Sequence, residues 1–281
     1  MPAVRELLAE ATTRLAASGV GSARVDAELL LAHVLGVTRA RLPLRDAVTP
    51  AEARDYDVAL DRRAAREPLQ HITGTAPFRH VELAVGPGVF VPRPETELLV
   101  DAVLPHLRGL DRPEVVDLCA GSGALAVAVA DELPTAAVTA VERSPAALPW
   151  LRRNTAGTRV TVIAADVGDD DALRPLAGRV DAVVANPPYV PLASPVDPEV
   201  RADPPEAVFG GSDGLDVVAT VIGRAATLLR PGGVLAVEHD DTHGTTVPAL
   251  LRADGRWQAI EARSDLAGRP RYALARRGEA G

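Results

Sequence analysis

The stretch Asp117-Leu118-Cys119-Ala120-Gly121-Ser122-Gly123 decides the fold, because it joins a short β-rich run to an apolar helical run. Gly121 and Gly123 permit positive φ and a close approach of the backbone to a ligand, and the helix that follows offers free N–H groups. A glycine loop between a strand and a helix is typical of nucleotide-binding sheets, but it also occurs in ordinary tight turns. Other parts of the sequence are needed to distinguish a nucleotide-binding loop from an ordinary turn.

Short β-rich runs alternate with helical runs throughout the region that follows Val115. Five of them have the composition of buried parallel strands, namely Val115–Leu118, Ala137–Val141, Val160–Ile163, Val180–Ala185 and Val234–Glu238. Helical patterns lie between them near 123–133, 145–155 and 214–230. The alternation predicts an α/β fold with a doubly wound, Rossmann-like sheet. Trp257–Glu261 and Arg271–Ala275 follow without a strong crossover helix, which predicts an antiparallel closing hairpin and seven strands in total.

The first 70 or so residues have a different pattern, with apolar residues at helical spacing. Two helices end near Gly19 and Gly36, and a third begins at Thr49-Pro50-Ala51-Glu52, which has the composition of a capping box. Alternating apolar residues then run from Phe78 to Val85. We therefore expect a small N-terminal helical domain over 1–72, a connecting β-hairpin over 73–92 and a sheet domain over 93–281.

Composition narrows the class of protein. The formal charge of −8 argues against a surface built for non-specific phosphate binding, and 47% hydrophobic residues are enough for a real core. Cys119 is the only cysteine, which excludes a disulfide framework and fits a reducing compartment. The N-terminus lacks the apolar core of a signal peptide, and no apolar run reaches the length of a membrane helix. These features predict a cytoplasmic protein.

Acidic residues at the next two strand ends favour a nucleoside ligand. Glu142 ends the second strand of the sheet, where a carboxylate can bind both ribose hydroxyls. The glycine loop lacks the third glycine of the dinucleotide pattern, so a ribose without a pyrophosphate is expected, which points to S-adenosylmethionine. Asp166 follows the third strand and can accept from an adenine amino group, with Val167 beside the ring, although Asp166 could equally be a helix N-cap.

The motif Asn186-Pro187-Pro188-Tyr189 follows the fourth strand, and its residue types are suited to binding a reacting group. Two prolines withdraw the backbone from a ladder and leave a carbonyl free, and the Asn186 side chain offers a second acceptor. Two acceptors can hold one NH₂ group, while Tyr189 can stack on a flat amide or base. Since ligands bind outside the carboxyl ends of parallel strands, we interpret this motif as a substrate site. The Pro-rich stretch from Pro187 to Pro205 is then a functional loop.

With these residues, the chain resembles the HemK-like protein-(glutamine-N5) methyltransferases, which modify class 1 peptide chain release factors. The Asn-Pro-Pro-Tyr motif alone is shared with methyltransferases of DNA and ribosomal amino groups. The more specific stretches are Asp26–Gly36 (DAELLLAHVLG), Gly86–Val100 (GPGVFVPRPETELLV), Asp117–Ala126 and Asp203–Leu215 (DPPEAVFGGSDGL). The resemblance covers nearly the whole chain.

The resemblance implies a site for each part of the ligands. The methionine moiety of S-adenosylmethionine would lie on Cys119, Ala120, Gly121, Ser122 and Gly123, the ribose on Glu142 and the adenine at Asp166 and Val167. The glutamine amide of the Gly-Gly-Gln motif would lie on Asn186, Pro187, Pro188 and Tyr189, and Asn186 would also contact the cofactor. The product would be S-adenosylhomocysteine, with no metal involved. The family usually has Gly and Thr where this chain has Cys119 and Ala120, and a Glu-x-Gly continuation where it has His239-Asp240.

Two other clusters of charged residues resemble functional sites, but we do not expect either of them to be one. Glu238, His239, Asp240, Asp241 and His243 look like metal ligands, but they follow a strand, and we interpret them as a solvated loop. The run Asp169-Asp170-Asp171 is expected to be an exposed helix start.

Two alternative functions stay open at this point. One is methyl transfer to an exocyclic amino group of a nucleic acid base, which the acidic charge disfavours. The other is a nucleotide-binding oxidoreductase or a non-catalytic adenosine-binding module, in which the Asn-Pro-Pro-Tyr motif would only be a turn. The preferred interpretation expects release factors as partners, with no direct nucleic acid binding and no membrane.

Overall fold

The computed structural model describes residues 3–279, which divide into two units. The first unit contains the chain up to Thr75 together with Val196–Ala202. The second contains Ala76–Pro195 and the chain from Asp203 onward. The middle of the Pro-rich stretch therefore belongs to the N-terminal unit.

The first unit is helical, as its sequence pattern predicts. Its helices are α1 (Val4–Ala17), α2 (Ala23–Val34), α3 (Pro50–Ala64) and α4 (Leu69–Thr73), with a 3₁₀ turn at Arg39–Leu44. The capping box of α3 is confirmed, since Thr49 and Glu52 each bond the backbone N–H of the other. In α2 the buried face is centred on Ala27, Leu30 and Leu31, and Val25 is exposed.

A buried ion-pair network fixes Val196–Ala202 within the first unit. Glu199 binds Arg63 at 2.9 Å and Arg66 at 2.6 Å, and Arg63 also binds the buried Asp26 at 2.7 Å. Burial raises the pKa of Glu199, but hydrogen bonds from Arg66 and Arg63 outweigh this effect and bring it to about 2. Such a network with several partners holds a segment more firmly than an isolated surface pair does.

A hairpin of β1 (Thr75–Phe78) and β2 (Val81–Ala84) turns at Arg79 and His80, and all of it except Thr75 belongs to the second unit. Its main sheet contains β3 (Glu114–Leu118), β4 (Ala137–Glu142), β5 (Thr161–Ala164), β6 (Val180–Ala185), β7 (Leu229–Glu238), β8 (Trp257–Ser264) and β9 (Pro270–Arg277). Within residues 3–279 the order of this seven-stranded sheet is β5-β4-β3-β6-β7-β9-β8. All pairs from β5 to β7 are parallel, and β9 is antiparallel to both β7 and β8. The doubly wound sheet and its closing hairpin are thus confirmed.

Helices cover both faces of this sheet. They are α5 (Glu97–Leu107), α6 (Ala124–Glu132), α7 (Leu148–Thr155), α8 (Asp170–Leu173), α9 (Pro205–Val208), α10 (Asp216–Leu228) and α11 (Thr246–Asp254). Alternate residues of the central strands face opposite sides, so Val115 packs with α5, α6 and α7, whereas Val116 packs with α10 and α11.

Two expectations about the sheet were wrong. The helix α11 lies between β7 and β8, where the sequence showed no strong helix. Its first turn is Thr-Val-Pro, and β-branched residues weaken the helical signal, but Val247 and Leu251 supply a buried stripe. Strand β5 was expected to be buried, but it forms the edge of the sheet and is only partly covered.

The glycines of the loop after β3 generate the first prediction. A Cβ on Gly123, where φ is +86°, would lie 2.7 Å from the buried Leu151 Cδ1, whereas a Cβ on Gly121, where φ is +55°, would meet no atom of residues 3–279 within 4 Å. We expect Gly121→Ala to cost only the left-handed backbone penalty of about 1–2 kcal/mol. Gly123→Ala should cost more, because it adds a clash. Urea unfolding of both variants measures this difference, and equal losses would contradict the packing argument.

Candidate active site

The loop that follows β3 is held against the neighbouring strand. Ala120 N donates to Val141 O at 2.9 Å, and Gly123 is the N-cap of α6. Cys119 has a φ of +64°, a conformation that favours glycine, so the family's usual residue at this position has a backbone reason. Burial, followed by the nearby Glu142 and Asp117, raises the pKa of the Cys119 thiol, which is therefore protonated and unsuited to act as a nucleophile.

Glu142 is the last residue of β4 and faces the same cavity as this loop. Its Oε2 accepts from Gly121 N at 2.8 Å and its Oε1 from Ser144 N at 2.7 Å. Each carboxylate oxygen retains a lone pair after accepting one bond. The side chain thus shapes the loop and can still accept two ligand hydroxyls.

Asp117 is a site residue to which the sequence argument gave no role. It lines the cavity, and its Oδ2 accepts from Ala126 N at 3.0 Å, while its Oδ1 is buried and has no hydrogen-bond partner among the described residues. Burial, opposed by the Ala126 amide and reinforced by the nearby Glu142, raises the pKa of Asp117 to about 8. A buried acceptor without a partner is costly, so this oxygen fits a ligand that brings a cationic donor, such as the ammonium group of an amino acid.

Asp166 and Val167 follow β5 and also line the cavity. Asp166 accepts from Gly168 N at 2.7 Å and pairs with Arg143 at 2.9 Å, and these two interactions lower its pKa. The N-cap of the following helix α8 is Asp169, so the capping alternative for Asp166 does not apply. Val167 is buried beside it.

The Asn-Pro-Pro-Tyr motif follows β6 directly. Asn186 and Pro188 line the same cavity as Glu142, whereas Pro187 and Tyr189, which were also predicted for the substrate, are not among its lining residues. Asn186 Nδ2 donates to Thr96 Oγ1 at 3.0 Å, and Tyr189 donates its hydroxyl to Glu238 Oε1 at 2.8 Å.

Two glycines support this motif from behind. A Cβ on Gly210 would lie 2.4 Å from the Pro188 carbonyl oxygen, and one on Gly214 would lie 2.2 Å from the Tyr189 carbonyl oxygen. The bridge between Val190 and Phe209 runs alongside, where Gly210 N donates to Val190 O at 3.0 Å. The segment Asp203–Leu215 therefore requires its glycines because it packs on the backbone of the site.

The two stretches that carried the most specific resemblance meet at Asp203. This side chain is buried, accepts from Val91 N at 3.1 Å and pairs with Arg93. Burial raises the pKa of Asp203 to about 6, against the lowering effects of Arg93 and the Val91 amide. Both stretches also supply cavity residues that the sequence argument left unassigned, namely Phe90, Pro92, Thr96, Pro204, Glu206 and Ala207.

The interpretation of Glu238 to His243 as a solvated loop was wrong in part. Glu238, His239 and His243 are buried, because β7 remains in the sheet interior to its end and a 3₁₀ turn, Asp241–His243, folds back. Asp241 is exposed as expected. Over residues 3–279 no group of three or more His, Cys, Asp or Glu side chains is arranged to hold a metal. The exposed helix start at Asp169–Asp171 is confirmed, with Asp169 as its cap.

No helix formed by the described part of the chain is both long and apolar enough to cross a membrane.

Comparison with known proteins agrees with this architecture. Residues 6–74 match the family described as PrmC N-terminal domain, and residues 81–194 match the methyltransferase small domain. One solved structure, the 16S rRNA N2 G1207 methyltransferase (RsmC) of Thermus thermophilus in complex with AdoMet and guanosine, has a TM-score of 0.52 at 25% identity, over 72% of this chain and 49% of that one. The sheet therefore has the fold of a methyltransferase.

Curated relatives match over nearly the full length. The release factor glutamine methyltransferase of Mycolicibacterium smegmatis is 49% identical over 99% of both chains, and that of Streptomyces coelicolor is 50% identical over 96% of both. The protein of the same name from Deinococcus radiodurans is 45% identical over 98% of both chains. Identity at this level over the helical unit, the hairpin and the sheet alike leads to one conclusion: this chain belongs to the release factor glutamine methyltransferase family.

Proposed function

We propose that the protein transfers the methyl group of S-adenosylmethionine to the side-chain amide nitrogen of the glutamine in the Gly-Gly-Gln motif of class 1 peptide chain release factors. The observation that carries this proposal is the shared cavity. Glu142 and the loop from Cys119 line one part of it, and Asn186 and Pro188 line another. Family membership supplies the substrate. We place this activity in the cytoplasm.

The cavity residues fit S-adenosylmethionine part by part. Asp117 Oδ1, which is buried and unpaired among the described residues, suits the ammonium of the methionine moiety. We assign the rest of that moiety to the loop Cys119–Gly123 and the ribose hydroxyls to Glu142. Asp166 and Val167 are assigned to the adenine edge and face.

The acceptor nitrogen has to be made more nucleophilic, because an amide lone pair is delocalised into its carbonyl. S-adenosylmethionine supplies an electrophilic methyl carbon on a positively charged sulfur. Asn186 Oδ1 and the Pro187 carbonyl oxygen accept hydrogen bonds from the two N–H groups of the substrate amide. They thereby favour a pyramidal nitrogen as the bond between nitrogen and the methyl carbon forms. The nitrogen–carbon bond forms as the carbon–sulfur bond breaks, S-adenosylhomocysteine leaves, and the amide proton passes to water.

Tyr189 is assigned to orient the flat amide. Its hydroxyl bond to Glu238 limits rotation of the ring, and Gly214, which has no side chain, leaves room for its carbonyl. A fixed ring can hold nitrogen and methyl carbon about 3–3.5 Å apart, which is much of what an in-line displacement requires.

The acceptor is identified by supplying labelled S-adenosylmethionine with a release factor, RNA or DNA in separate reactions. Label in the release factor alone is expected, in keeping with the charge of −8. Label in RNA or DNA would favour the nucleic acid alternative, for which the guanosine complex of the RsmC structure is the nearest support. No label in any of them would favour a binding module.

Asn186→Ala should cut turnover at least about tenfold, since a lost transition-state hydrogen bond is worth about 1.4 kcal/mol or more. Binding of S-adenosylhomocysteine should change little, because the assigned ribose and methionine contacts remain. Calorimetry and single-turnover rates separate the two effects. Near-normal turnover would remove Asn186 from the mechanism.

Glu142→Gln should act on the cofactor instead. Hydrogen bonds to a charged acceptor are worth about 1.5–3 kcal/mol, so cofactor affinity should fall about tenfold or more, with kcat at saturation largely kept. Glu82→Gln is the matched control, because Glu82 is an exposed carboxylate on β2. Unchanged affinity for S-adenosylhomocysteine in the Glu142 variant would refute the ribose assignment.

We further propose that the helical unit, our expected domain over 1–72, recognises the body of the release factor. The two most exposed of the large apolar side chains described in this unit are Leu44 at 80% and Val58 at 61%. Leu44→Asp and Val58→Asp, made separately, should raise KM for the whole factor, because binding energy from remote contacts positions the reacting group. A short Gly-Gly-Gln peptide should be methylated as before.

The control for these variants is Leu266→Asp, which alters an even more exposed apolar side chain, in the second unit. Equal effects on factor and peptide, or no effect of either helical-unit variant, would contradict the recognition role.

A further inference from the structure

Two partly buried hydrogen bonds lie behind the Asn-Pro-Pro-Tyr motif. Thr96, just before α5, and Glu238, at the end of β7, are 3% and 1% exposed. Asn186 donates to the Thr96 hydroxyl, and Tyr189 donates to Glu238. Three distant parts of the sequence thus converge on one buried polar cluster.

The position of the Thr96 hydroxyl proton determines which groups donate and which accept in these hydrogen bonds. A threonine hydroxyl has one proton to donate, and an ionised carboxylate can only accept. Thr96 lowers the pKa of Glu238 as a hydrogen-bond donor, and Glu238 Oε2 is buried with no partner in the described part of the structure, which leaves it available for this proton. With its proton directed to Glu238, the Thr96 oxygen can only accept from Asn186.

This direction determines which end of the Asn186 amide faces the substrate. Its NH₂ group is directed to Thr96, so its Oδ1 remains as the acceptor for the substrate amide. The reverse orientation would place N–H donors against the N–H donors of the substrate. We propose that Thr96 and Glu238 are positioning residues that set the orientation of the Asn186 side-chain amide for methyl transfer. This inference rests on the proposed function.

The charge state of Glu238 depends on its surroundings. Burial raises the pKa of Glu238 and outweighs the lowering effects of Thr96, Tyr189 and Arg271; with a smaller raising effect of Glu95, the pKa is about 7. A protonated Glu238 can donate a hydrogen bond to the Thr96 oxygen, which would direct the Thr96 proton to Asn186 instead. The activity should therefore rise as pH rises through about 7, since the ionised form is the one that orients Asn186.

The first test compares Thr96→Val with Thr96→Ser. Valine removes the hydroxyl at almost constant volume, so kcat should fall at least about tenfold while affinity for S-adenosylhomocysteine is kept. Serine restores the hydroxyl and should keep most of the activity. Equal kcat in the two variants would overturn the proposal, because a purely steric role does not need the hydroxyl.

The second test reverses the donors and acceptors of the hydrogen bonds between Glu238, Thr96 and Asn186, and then restores an acceptor at the substrate. In Glu238→Gln, the new amide can donate to Thr96, whose proton then passes to Asn186 Oδ1 and turns the Asn186 amide round, so kcat should fall. Adding Asn186→Asp gives a carboxylate that accepts the Thr96 proton and still presents an acceptor to the substrate, at the same net charge as the starting protein. The double variant should therefore be more active than Glu238→Gln.

A double variant no faster than Glu238→Gln, with normal binding of S-adenosylhomocysteine, would overturn the proposal. If Glu238→Gln does not fold, the comparison of Thr96→Val with Thr96→Ser tests the proposal by itself. These ratios are measured on whichever macromolecule the unsubstituted protein labels. A different acceptor would therefore contradict the proposed function without altering the outcome of this test.

Discussion

The parallel register of β4, β3, β6 and β7 is the constraint on which the site depends. Leu118 is paired with Val141 on one side and with Ala185 on the other, and Ala185 is paired with Val237. The next residues in each strand or loop, Cys119, Glu142, Asn186 and Glu238, are thereby brought to one edge of the sheet. A slip of one residue in any pair would turn these side chains to the opposite face.

The loop around Asn186 adds a second constraint, because irregular backbone has to be held by close packing. Gly210 and Gly214 permit carbonyl contacts that no other residue would allow, and Asp203 binds the segment before α5 through Val91 and Arg93. These contacts explain why the segments PRPETELL and DPPEAVFGGSDGL accompany the Asn-Pro-Pro-Tyr motif. They form the support of the reacting loop and thus link local sequence to the proposed chemistry.

The sequence predicted the strands and the glycine loop well, since buried β-rich runs and glycine joints leave local signals. Its failures have a common cause in tertiary packing. The bond from Asn186 to Thr96 joins residues 90 positions apart, and the burial of His239 is hidden by its acidic neighbours. The Asp117 oxygen that has no partner among the described residues became apparent only when the cavity was assembled around it. The predicted roles of the site residues stay predictions until substrates are tested.

The claim that the methyl group goes to the amide nitrogen of glutamine is tested most directly by the position of the new bond. A release factor whose glutamine side chains carry heavy nitrogen is methylated and then hydrolysed in acid, which releases the amide nitrogen with whatever is attached to it. The account predicts methylamine that contains heavy nitrogen, derived from the Gly-Gly-Gln peptide. Heavy ammonia alone from that peptide, with the methyl group retained on another residue or atom, would contradict it.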